Sequence, residues 1–222
     1  MGLIASDTGG GDFKMTPAGV HIGRCFRIVD LGTQEEEYQG EVKLMPKLAI
    51  YWELHGEDED GKPLMMDNGE PMFIWQEYTK SLGQKAKLRA ALESWRGKPF
   101  GEDELKGFDV SKLLNAYCMV NVTHKQSQKG KTYAVVSSLT PLPAALKHAK
   151  PAPILPSAIF DLDDFNETLF NTFHDKLKEK INNSIERKGG NKADHAPSKG
   201  RVDESPPIDA YDDGPADDDC PF

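Results

Sequence analysis

A small, mainly β barrel followed by a helical segment and an acidic tail is the fold class this sequence predicts, and three observations carry the prediction. Runs rich in β-branched and aromatic residues alternate apolar with polar, as half-buried strands do. A single stretch of helical period interrupts them between the third and fourth runs. Beyond a Pro-rich stretch the apolar spacing becomes that of a helix face, before Gly, Pro, Ser and charge take over.

Residues 1–12, with Gly9-Gly10-Gly11, read as a flexible arm, and residues 13–145 as the barrel domain. The first strand spans Val20 to Val29, with Val20, Ile22, Phe26 and Ile28 on one face and His21, Gly23, Cys25 and Arg27 on the other. The second, Lys47 to Leu54, sets Leu48, Ile50, Trp52 and Leu54 against Lys47, Ala49, Tyr51 and Glu53. Met72 to Tyr78 forms a third. Ser81 and Gln84 fit a capping box at a helix start, Leu88, Ala91, Leu92 and Trp95 recur at helical spacing, and Gly97 with Pro99 ends the run. Asp109 caps a second short helix over Val110 to Leu114. The last two strands, Ala116 to His124 and Lys131 to Leu139, flank the polar loop 125–130, and the barrel closes near Pro143.

Three strands, a helical insert and a closing hairpin match the layout of the OB fold, a five-stranded Greek-key barrel used to bind oligonucleotides. An SH3-like or another small barrel would give similar strand counts, so function has to be argued from the site and the tail.

Residues 146–157 form a Pro-rich hinge. In the helical segment 158–187, Leu162, Phe165, Leu169, Phe173, Leu177, Ile181 and Ile185 share one face, with Asp161 as a cap and Asn171-Thr172 as a point where two helices could divide. That stripe packs on the barrel or serves a dimer or partner surface. Residues 188–222 are expected to be a disordered acidic tail.

The formal charge of -9 comes from 36 acids against 27 bases. Residues 203–222 hold eight of the acids and no base, so 36 - 8 = 28 acids face 27 bases in the rest of the chain, which is almost neutral. A neutral body can carry a basic groove. No apolar run approaches the roughly 18 residues that span a bilayer, and the N-terminus lacks the pattern of a secretory signal, so no membrane role and a cytoplasmic location are expected.

The three cysteines, Cys25, Cys118 and Cys220, are too scattered for a zinc site or a disulfide framework, and Cys25 and Cys118 read as small apolar core residues. Gly130-Lys131-Thr132 is a hairpin turn, because Lys125 stands where a phosphate-binding loop needs glycine. The acid runs Glu35-Glu36-Glu37 and Glu57-Asp58-Glu59-Asp60 are placed in hydrophilic loops, and no nucleophile elbow or zinc-binding His pair is present. No catalytic residue, metal or cofactor is therefore assigned.

The most specific feature is Asp217-Asp218-Asp219-Cys220-Pro221-Phe222. An aromatic anchor, its carboxylate and the preceding aspartates suit a shallow apolar pocket rimmed by Lys or Arg. This tip resembles that of bacterial single-stranded DNA-binding proteins, with Cys220 in place of the usual isoleucine. Phe108-Asp109-Val110, Leu113-Leu114, Cys118-Met119-Val120-Asn121-Val122, Gly130, Leu139-Thr140-Pro141-Leu142-Pro143 and the Phe160-Asp161-Leu162 to Glu186 segment resemble phage-encoded proteins of the same function. The match runs over roughly residues 15 to 187 by pattern alone. It implies an OB-fold single-stranded DNA (ssDNA) binder of phage or prophage replication and recombination, which recruits host or phage proteins through its tip.

An ssDNA site needs cations along the phosphates and flat side chains under the bases. Lys47 and Tyr51 share a strand face, and Lys125, Lys129, Lys131 and Tyr133 cluster in the last hairpin. Arg24, Arg27, Trp75 and Tyr78 are further candidates. The rival functions are a DNA mimic or adaptor that binds no DNA itself and a Mg²⁺-dependent nuclease. Whether the chain self-associates is left open.

Overall fold

β-strands dominate the structure, a computed structural model that describes residues 14–189 apart from residues 39, 59 and 129. The strands are β1 (Gly19–Tyr38), β2 (Glu41–His55), β3 (Phe73–Thr79), β4 (Tyr117–Gln126), β5 (Thr132–Pro141) and β6 (Ala158–Phe160). Helix α1 (Lys87–Arg96), the single turn α2 (Glu102–Leu105) and a 3-10 turn (Val110–Leu113) lie between β3 and β4, and α3 (Glu167–Asn171) and α4 (Asp175–Asn182) follow β6. Five strands lie in the order β3-β2-β1-β4-β5, each antiparallel to its neighbour, and β6 joins β1 in parallel. The sheet coils so that β3 approaches β5, and α1 packs against both.

Leu48, Ile50, Trp52 and Leu54 of β2 face inward as their alternation predicts. They meet Cys25, Val120, Val122 and Leu139 from the other strands and Leu88, Leu92 and Trp95 from α1. Burial pushes the Cys25 thiol up to about 12 and raises Cys118 as well, so both sulfurs behave as core atoms. Gly97, left-handed at φ 69°, stops α1 and returns its amide to Glu93 and Ser94.

The opposite face of β1 and β2 is covered too. Phe26, Val29, Leu31, Ala49 and Tyr51 form a second core with Phe160, Phe173, Leu177 and Ile181. Packing on the sheet is thus the fate of the C-terminal apolar stripe, and full burial of each such side chain contributes about 1.5–3 kcal/mol. The Pro-rich stretch is tied down rather than a free hinge. Glu53 accepts the Ile154 and Leu155 amides, while Arg24, 2.9 Å from Glu53, donates to the Leu155 carbonyl and the Ser157 hydroxyl. At the far end the Glu186 carboxylate accepts from Thr33 N–H at 2.8 Å and Thr33 Oγ1 at 2.6 Å.

Four expectations need correction. Phe26 does not share a face with Ile28, because it is the extra residue of a β-bulge between Cys25 and Arg27 that puts Phe26 and Arg27 in succession on the outer side. Here the edge of β1 changes partner, from β4 over Gly19–Arg24 to β6 over Arg27–Val29. Glu35, Glu36 and Glu37 lie in strand, paired with Leu44, Lys43 and Val42 in a long β1–β2 hairpin. Ser81 caps no helix. Its hydroxyl accepts the Gly83 amide two residues on, and α1 begins six residues later at Lys87. Asp161 is not a helix cap either: it accepts from Asp163, and Asn166 and His174 cap α3 and α4, which divide at residues 172–174.

Candidate nucleic-acid interface

Strand register decides which of the candidate residues meet. Arg27 of β1 stands opposite Tyr51 of β2, and Tyr51 opposite Trp75 of β3, so the three form one row across three strands on the outer face. The Tyr51 and Trp75 rings stack at 5.9 Å with 24° between their planes. Phe26 and Phe73 stand beside the row, with Phe26 5.8 Å from Phe73 and 6.2 Å from Tyr51. Trp75 and Phe73 are half-buried and reach solvent, whereas Tyr51 at 3% exposure supports the others from beneath.

Arg27 is the cation of this aromatic cluster. Its guanidinium carbon lies 5.3 Å from the Phe26 ring, 5.9 Å from Tyr51 and 5.6 Å from Phe173. Nε is buried without a hydrogen-bond partner, and no carboxylate pairs with the group among the described residues. Burial lowers the affinity of Arg27 for its proton. Three other cations near this face are paired: Lys80 with Asp30 at 2.5 Å, Lys180 with Glu77 at 2.5 Å, and Lys47 with Glu36. Arg27 alone among these meets only rings.

Three candidates are buried. Arg24, at 0% exposure, is the buried partner of Glu53 and anchors residues 154–157. Lys47 is buried and spent on Glu36. Tyr78 points into the inner core, where burial raises its hydroxyl pKa above the usual value. Residue type alone made these three candidates, whereas Arg24 is covered by residues 155–157, Lys47 pairs with Glu36 of the adjacent strand and Tyr78 belongs to the inner core.

The β4–β5 hairpin forms a second cluster. Lys125 pairs with Tyr133 across the ladder, and Lys125 and Lys131 are exposed with Tyr133 half-buried. Lys129 and the tip residues Asp217, Asp218, Asp219, Cys220, Pro221 and Phe222 lie outside the described residues. Phe26, Phe73 and Phe173 were not singled out by sequence. Phe73 had a signal, its two-residue offset from Trp75 on a common strand face, whereas Phe26 needed the bulge and Phe173 the docking of the C-terminal segment.

Among the described residues no group of His, Cys, Asp and Glu is arranged to hold a metal ion, and no helix is long and apolar enough to cross a membrane. No protein-family profile matches the chain, and no curated protein matches it.

Proposed function

We propose that this chain is a non-enzymatic ssDNA-binding protein of phage or prophage replication and recombination. The strand order β3-β2-β1-β4-β5, with α1 entering between β3 and β4, is read as an OB-type Greek-key barrel. The observation that carries the reading is the Arg27–Tyr51–Trp75 row with Phe26 and Phe73 beside it. Rings presented on a sheet accept unstacked bases, each stack contributing about 1–3 kcal/mol, and an anion is the partner that Arg27 lacks. Lys125 and Lys131 on the β4–β5 hairpin offer further contacts to the backbone. A duplex hides its base faces, so the strand bound is single. The Asp217–Phe222 tip then recruits replication or recombination proteins through an apolar pocket with a basic rim.

Titration of a fluorescent oligonucleotide tests the reading. Affinity is expected to exceed that for duplex of the same length, with little sequence preference. If about four phosphates are neutralised, log affinity falls against log salt with a slope near -3. Equal affinity for duplex, or binding indifferent to salt, overturns it. Capture of a DNA-binding protein without any DNA binding identifies a mimic instead.

A further inference from the structure

Strand register extends the outer face beyond the Arg27–Tyr51–Trp75 row. The next row along the same strands runs from Phe73 of β3 through Glu53 and Arg24 to Tyr117 of β4. Residues 154–157 cover its two central members, Glu53 through the Ile154 and Leu155 amides and Arg24 through the Leu155 carbonyl and the Ser157 hydroxyl. Half-buried rings stand at its two ends, and three strand spacings, roughly 14 Å, separate them. The chain that crosses between those ends is apolar on its outer side. Ala152, Pro153 and Ile154 are exposed, and none of residues 151–157 is charged.

Tyr117 lines a groove of about 360 Å³, where the end of α1, the start of β4 and the end of β5 converge, a volume within the range of ligand pockets. Trp95, Leu113 and Leu142 give it an apolar floor. Arg96, Lys147 and Lys150 rim it, and no carboxylate lines it. The Lys150 ammonium lies 5.4 Å from the Tyr117 ring. Among the described residues neither Lys147 nor Lys150 pairs with a carboxylate, and Arg96, which gives Nη2 to Glu104, keeps a buried Nη1 without a hydrogen-bond partner.

On the ssDNA reading of the aromatic row, we propose that this groove is a second station of the same path and holds a further base, with its phosphates, of the strand that lies on the row. A nucleotide matches both parts of the groove, a flat ring for the apolar floor and Tyr117 and an anion for Lys147, Lys150 and Arg96. Phosphates follow one another about every 3.4 Å along a stacked strand, so roughly four nucleotides bridge Phe73 to Tyr117. That length is within the span of about 4–16 nucleotides that one OB-type domain holds. Along the bridge Ile154 offers an apolar contact to a base, and the acid beneath it, Glu53, is buried and neutralised by Arg24.

Titration of the full-length chain with ssDNA of about four and about twelve nucleotides, followed by the indole N–H resonances of Trp75 and Trp95, tests the path. Trp95 reports on the groove because its indole N–H donates to the Tyr117 carbonyl at 3.2 Å. The shorter strand is expected to shift Trp75 alone and the longer to shift both. Lys147→Gln with Lys150→Gln, both exposed sites, weakens binding of the longer strand by about fivefold or more and makes its salt slope shallower by about 1.4, two phosphates at about 0.7 each. The same variant leaves the affinity for the shorter strand unchanged. A Trp95 resonance indifferent to the longer strand while Trp75 shifts overturns the second station and leaves the reading of the row standing. No shift of either resonance by either strand overturns both. Equal weakening for the two strands assigns the lysines to bulk attraction, and a Trp95 shift reproduced by thymidine monophosphate at the affinity of the longer strand makes the groove a site for free nucleotide. Either result overturns the path.

Discussion

Along β2, Leu48, Ile50, Trp52 and Leu54 point into a core built by neighbouring strands and α1, whereas Ala49, Tyr51 and Glu53 point into one completed from the other end of the chain. Glu53 reaches its amide partners across 101 and 102 residues. The inner core is held by dispersion and by removal of apolar surface from water. The outer core adds a buried ion pair and hydrogen bonds, and those interactions fail sharply when one member is removed. The outer face is also where the aromatic row reaches solvent. One face of β2 is therefore purely structural, while the other combines an anchor with the proposed binding surface.

The largest effect is expected where the outer face is anchored. Glu53→Gln keeps the shape of the side chain and leaves Arg24 buried without its counter-charge, at a cost of about 3–5 kcal/mol. Denaturant unfolding should show this, and hydrogen exchange at Ile154 and Leu155 should accelerate before exchange in the inner strands. Acid should do the same to the unaltered chain. Burial alone would raise the Glu53 carboxyl, but Arg24 and the two backbone amides outweigh it and hold it below the usual value of 4.5. Its contribution is full above that value and is lost as pH falls through the lower folded pKa. Burial likewise lowers His55 from 6.5, so His55 resists protonation and opposes folding once the pH falls below that point. Stability of Glu53→Gln equal to that of the unaltered chain would remove the ion pair from its anchoring role.

A smaller effect separates binding from folding on the same two faces. Trp75→Ala should weaken ssDNA binding by about 1–3 kcal/mol while the fold persists, because the ring is half-buried at the edge of its cluster. Trp52→Ala, at 0% exposure in the inner core, should cost about 3–5 kcal/mol of stability instead. Tyr51→Ala cannot make the distinction, since at 3% exposure it removes core as well as platform. Unchanged DNA affinity in folded Trp75→Ala would take the row out of the binding surface.

The inner face was legible in the sequence because strand alternation depends only on local chain geometry, and Leu48 to Leu54 fell where alternation put them. The same holds for the α1 stripe, Leu88, Leu92 and Trp95, and for the stop at Gly97. The row was legible as residue types, since Arg27, Tyr51 and Trp75 were all candidates, yet nothing local sets the register that aligns them. Arg24, Lys47 and Tyr78 carried the same chemical signals and lie buried. Arg24 is covered by residues 155–157, more than 130 positions away in sequence, Lys47 pairs with Glu36 of the adjacent strand and Tyr78 turns into the inner core, and none of these contacts has a period of its own. Glu35 to Glu37 show the converse: a run of charge reads as loop, although a hairpin that extends beyond the core can keep charged residues in strand.

The smallest expected effect concerns the acid-rich end of the chain and the same outer face. Eight carboxylates in residues 203–222 compete with phosphate for the cations of the binding surface wherever they come within a Debye length, roughly 30 Å at 0.01 M salt and 8 Å at 0.15 M. Removing residues 203–222 should therefore strengthen ssDNA binding a few-fold at the lower salt, by about 1 kcal/mol or less, and hardly at all at the higher. Phe222→Ala keeps every carboxylate and should change that affinity less than truncation does, while capture of a partner protein falls because the aromatic anchor is gone. Paired oligonucleotide titrations at the two salt concentrations measure the first effect, and retention of a partner on immobilised protein measures the second. Equal strengthening by truncation at both salt concentrations would mean that the segment acts on the DNA surface through specific contacts rather than through bulk charge.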